Sequence, residues 1–177
     1  KIILFAIPLF LGNLFQQLYN TVDSVIVGQF VGKEALSSVG GSAGQIISLV
    51  VGFFTGVSTG ATVIISQYFG AGKKEEIEES LHTAYAFALV GGLVLGIAGI
   101  VFAPQMLRWM NTPEELIAES VLYVRVYFSG LIFIFIYNMG AAILRAVGDS
   151  KRPLYYLIVC SVVNIILDLL LILVIPL

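Results

Sequence analysis

Apolar residues in this chain come in five long runs, separated by short stretches where charge and turn residues coincide: "VGKEA", "GAGKKEE", "RWMNTPEE" and "VGDSKRP". Crossing a hydrocarbon core of ~30 Å takes about 20 residues of helix, because hydrocarbon offers no partner to an exposed backbone group. Each run is long enough. The pattern therefore predicts five spans, over about residues 2–30, 42–69, 81–103, 118–146 and 153–177, and an all-α, polytopic transmembrane helix bundle. No period of ~20–50 residues repeats. The first run is longer than the ~7–15 apolar residues of a signal peptide, so it reads as a span. With no starting Met before "KIILFAIPLF", the chain reads as an excerpt of a longer one.

Polar residues inside these runs break the pattern in an ordered way. On the first, Asn13, Gln16, Gln17, Asn20, Asp23 and Ser24 step by threes and fours, which makes a polar stripe along one side of the helix. Such a stripe faces a bundle interior or a water-filled cavity. Near the chain's end, Asp168 stands alone in "NIILDLLLILVIPL", with Asn164 one turn before it, as Tyr19 stands one turn before Asp23. Both aspartates are expected at one depth, roughly 10 to 14 Å below the outer surface at a rise of 1.5 Å per residue. An ionisable group in a membrane is costly and usually marks an ion path or a proton relay. Two neighbouring carboxyls share a titration, and carboxylate and amide oxygens are hard ligands, so the pair suits H⁺ or Na⁺. The bland alternative is two protonated carboxyls serving as interhelical glue.

Composition agrees with a membrane setting: 59% of the 177 residues are hydrophobic and 11% charged, with a mean hydropathy of +1.01. A net charge of −2 suggests no nucleic-acid partner. Lys1, Lys73, Lys74, Arg145, Lys151 and Arg152 fall on one side of the five-span topology and only Lys33 and Arg108 on the other, which puts the N-terminus in the cytoplasm. Arg125 reads as a snorkelling or structural residue, His82 as interfacial and the lone Cys160 as core packing. Small-residue stripes at Gly52, Gly56 and Gly60, and at Gly92 and Gly96, predict close helix approach.

No catalytic residues are expected. "GVSTG" at Gly56–Gly60 fits G-x-S-x-G, but that motif needs a strand-to-helix elbow and a nearby His. Asp23 follows Val22 and Asp168 follows Leu167, unlike the Tyr-Asp and Gly-x-Gly-Asp of intramembrane aspartyl proteases, which leaves that as the lesser alternative. A purely structural anchor leaves the polar stripe without a purpose.

The segments "IPLFLGNLFQQLYNTVDSVIVGQFVGKEALSSVG", "SQYFGAGK", "ILRAVGDSKRP" and "NIILD" together resemble the N-terminal half of the multidrug and toxic compound extrusion (MATE) family of secondary transporters, over essentially all 177 residues. The resemblance implies the N-lobe, helices one to five, of a twelve-helix exporter in a prokaryotic inner membrane. It implies antiport of small lipophilic cationic drugs against H⁺ or Na⁺, with no other cofactor. It also implies a sixth helix and a C-lobe as structural partners, alongside the lipid bilayer. Asp23, Asn164 and Asp168, with Tyr19, match the family's cation site, and Na⁺ would bind at the first three. Pro8 matches the proline at which the first helix bends. Asn13, Phe15, Gln16, Asn20, Tyr137, Asn138 and Met139 are candidates for the substrate cavity. A lipid-linked oligosaccharide flippase of the same superfamily is the closer alternative, but such proteins line their cavity with basic residues, nearly absent here.

Overall fold

A computed structural model describes residues 2–26, 28–29 and 33–174. Among these residues all regular structure is helical: α1 (Ile2–Ile26), α2 (Lys33–Gly40), α3 (Ser42–Gly70), α4 (Lys74–Trp109), α5 (Glu114–Ser129), α6 (Leu131–Ala146) and α7 (Lys151–Val174). Three stretches are long and apolar enough to cross a membrane, Leu36–Gly70, Lys74–Trp109 and Lys151–Leu170, and α5 with α6 makes a fourth if that bent pair is one span. Helix α1 has 25 residues, with the polar stripe along its second half. The expected ends at residues 30 and 177, and Lys1, lie outside the described residues.

The chain divides into two compact units, Lys1–Leu36 with Gly148–Leu177, and Ser37–Val147. In the first, α1 packs along α7; the methyl groups of Leu154 and Leu157 come within 3.9 Å of where a Cβ on Gly12 would stand. The motif "VGDSKRP" builds the start of α7. Gly148 takes a φ of +89°, a left-handed turn that costs glycine little. The Asp149 carboxylate then accepts the backbone N–H groups of Lys151 and Arg152, both at 3.1 Å, which gives otherwise orphaned helix donors a partner.

In the second unit, α3, α4, α5 and α6 enclose a core of Ala43, Phe54, Ala88, Leu107, Val124, Phe128, Leu131, Phe135 and Met139. Phe54 of α3 stacks on Phe135 of α6 with centroids 3.4 Å apart. The α4 glycines make this density possible: a Cβ on Gly92 would stand 2.9 Å from the Ile132 Cα, and one on Gly96 3.1 Å from the Phe128 carbonyl. The α3 stripe behaves differently. Gly52, Gly56 and Gly60 meet nothing within 4 Å, so in this unit only the α4 stripe brings backbones together.

Helix ends follow the turn chemistry. Gly72 (φ +69°) and Asn111 (φ +54°) close α3 and α4 with paired bonds from the next residue: Lys73 N–H to the Tyr68 carbonyl at 3.1 Å and Thr112 N–H to the Leu107 carbonyl at 3.1 Å. The fourth expected span is broken: α5 and α6 meet at Gly130 with a bend of 49°. There the Ser129 hydroxyl donates to the Val126 carbonyl at 2.6 Å, and Ser/Gly pairs are recognised kink sites. Helix α2 falls in the expected loop. Cys160, expected in the core, is exposed, because an apolar helix facing lipid or another helix has apolar residues on every side.

Arg125 has a specific partner. Pro104 lies inside α4 and has no N–H for the carbonyl four residues before it, that of Ile100. The Arg125 Nε donates to that Ile100 carbonyl at 3.1 Å. Arg125→Ala is therefore expected to cost about 1–3 kcal/mol of stability. In a Pro104→Ala background, where the new alanine supplies its own N–H, the cost should largely vanish; an equal loss in both backgrounds, read by thermal unfolding, contradicts this pairing.

Candidate functional site

The first unit brings together the two carboxylates that the sequence places in separate runs. Asp23, near the end of α1, and Asp168, near the end of α7, are neighbours close enough for their carboxyl groups to interact. Both are half-buried.

Two further oxygens are left over. Asn164 Oδ1 and Asp168 Oδ2 are buried and have no hydrogen-bond partner among the described residues. Most buried polar atoms are paired, so each exception asks for an explanation, such as an ion. Asn164 precedes Asp168 by one helical turn, so the two present their oxygens on one side of α7. Hard oxygen donors from an amide and two carboxyls fit Na⁺, and the same carboxyls fit H⁺. Tyr19, one turn before Asp23 on α1, is half-buried.

The remaining candidates are distributed over both units. Asn13, Phe15, Gln16 and Asn20 are exposed on α1, as are the apolar Phe10, Leu14 and Leu18 of the same helix. In the second unit, Tyr137 is 38% exposed, while the Asn138 amide donates to the Ile134 carbonyl of its own helix at 2.9 Å. Met139 is 1% exposed and belongs to the core. Pro8 is buried inside α1. Just before it, the Phe5 carbonyl accepts the hydroxyl of buried Ser150 at 3.1 Å, which ties the first turns of α1 to the start of α7. In the sequence Ser150 reads only as turn chemistry, since its partner lies 145 residues away.

A MatE family profile matches residues 8–170, with the carboxylate pair and Asn164 inside the matched region. The chain belongs to the MatE family. A relative of Bacillus subtilis, the "Probable multidrug resistance protein YoeA", is 36% identical over 164 residues, covering 93% of this chain and 35% of its own length. Two solved MATE structures match at 27% identity and a TM-score of 0.88. The straight conformation is covered over 96% of this chain and 37% of that one, the bent conformation over 97% and 38%. This MATE chain therefore spans little more than a third of the length of these relatives. The family, the all-helical fold and the membrane setting agree with the sequence reading.

Proposed function

We propose that this chain is the N-lobe of a secondary active exporter that moves lipophilic cationic drugs out of a prokaryotic cell in exchange for H⁺ or Na⁺. The carrying observation is the facing pair of Asp23 and Asp168, with unpartnered oxygens on Asn164 and Asp168 beside it. A cation arriving from outside satisfies those oxygens and neutralises the site. The outer half of α1 then repacks on α7 without an uncompensated charge, and the polar stripe from Asn13 to Asn20 changes its exposure to the cavity. The cationic drug, which competes for the same acidic surroundings and for the aromatic faces of Phe15 and Tyr19, is released. The return step reverses this on the cytoplasmic side.

Five crossings, with α5 and α6 as one bent span and the N-terminus in the cytoplasm, are part of this proposal, as are a sixth helix and a C-lobe completing the cleft. Pro8 would serve as the bend of α1. Its missing N–H leaves the Leu4 carbonyl without its helical partner, and the Ser150 tether holds the turn before it. The relatives' naming as multidrug resistance proteins supports the cargo. The test is drug efflux from cells or vesicles containing the intact protein, with the proton and sodium gradients collapsed separately. Efflux should fall to background with one gradient and survive loss of the other; efflux indifferent to both contradicts antiport.

A further inference from the structure

The second unit contains a cavity of about 570 Å³ between α3 and α4, within the 300–1,000 Å³ typical of drug-sized ligand sites. Its walls are apolar and aromatic, with Ile64, Ile65, Ala84 and Phe87, and Met139 at its base. Its rim, next to the turn that joins the two helices, carries Tyr68, Glu76 and Glu79. Ile64 is 50% and Phe87 45% exposed among the described residues.

The chain already places a cation at that rim. The Lys73 ammonium lies 5.9 Å from the centroid of the Tyr68 ring and 3.1 Å from Glu76 Oε1. A ring face and a carboxylate are the two partners that select a cation over a neutral ligand. Lys73 brings charge and a flexible stem but no bulky apolar body, and so leaves the wall of Phe87 and Ile64 uncovered.

We propose that this cavity is a second binding site for a lipophilic cation, whose charge takes the place of the Lys73 ammonium between Tyr68 and Glu76 and whose apolar body covers Phe87 and Ile64. Lys73 is then an internal competitor. Glu79, on the same rim, is the second carboxylate that holds the ligand once Lys73 has swung away. The inference rests on the cationic cargo proposed above but not on the coupling ion, and it uses none of the residues of the carboxylate pair.

The test measures binding of tetraphenylphosphonium to the intact protein carrying Asp23→Asn, which removes a charge of the other site. Lys73→Gln should tighten binding roughly two- to fivefold, the scale of one exposed cation–ring contact. Glu79→Gln and Phe87→Ala should each weaken it by a similar factor. Tetraphenylborate, of the same shape and opposite charge, should show no tightening with Lys73→Gln. Binding unchanged by all three substitutions, or the same response to both ions, overturns the proposal. Should these responses fail while efflux still follows a cation gradient, only the second site is lost; should they hold while efflux ignores both gradients, the antiport reading is lost and the site stands.

Discussion

If the proposed antiport is right, Asp23→Asn in the intact protein is expected to abolish gradient-driven drug efflux while the protein still reaches the membrane. Asparagine keeps the size and most of the hydrogen-bonding of the side chain, so packing of α1 on α7 is retained. What disappears is the exchangeable charge. The substituted amide can still meet Asp168, but the pair no longer gains and loses a cation between the two faces of the membrane, and intramembrane carboxylates are expensive to keep for any other purpose. Asp168→Asn is expected to do the same from the other helix. A glue role predicts the opposite outcome: asparagine bonds as well as a protonated aspartate, and efflux persists. Drug resistance of cells, set beside the amount of protein in the membrane, separates the two.

The second large effect is structural. Gly99→Val should destabilise the protein by about 3 kcal/mol or more, or prevent its accumulation. A Cβ at residue 99 would fall within the ring of Phe128, with Cγ at 2.5 Å, and Phe128 is only 3% exposed. The collision runs along one side of the ring, at Cδ1, Cε1 and Cγ, and the ring is held in the core and has little room to move aside. Shrinking the partner should help: the Gly99→Ala/Phe128→Ala double variant is expected to lose less than the two single losses added together. Additive losses in thermal unfolding contradict direct contact.

What the sequence reveals follows from how far each signal extends along the chain. An aspartate inside an apolar run stands out because nothing near it explains it, so Asp23 and Asp168 are visible as a pair in the sequence. Helix ends are legible for a similar reason, since Gly72, Asn111 and Gly148 each sit where a left-handed residue closes or separates helices. The bend at Gly130 is not, because Ser129 and Gly130 lie within a run whose hydropathy continues on both sides. Nor is the Arg125 bond to Ile100, which depends on a proline in one helix and an arginine in another, 25 residues from its acceptor. The two glycine stripes show the limit from another side. At equal spacing, the α4 stripe packs and the α3 stripe stands open, because spacing places small residues on one face without saying what lies opposite. Cys160 fails in the same way, as apolar character marks burial in water but not in lipid.

The most direct measurement for the central claim is the release of the coupling cation, as protons or as sodium, when drug is added to the purified intact protein. It would be made on the wild type, on Asp23→Asn, on Asp168→Asn and on the double variant. If Asp23 and Asp168 hold one cation between them, either substitution removes the release and the double variant loses nothing further. Half the release surviving in each single variant, with the remainder lost only in the double, would mean that the two carboxyls bind separately and that no shared site exists.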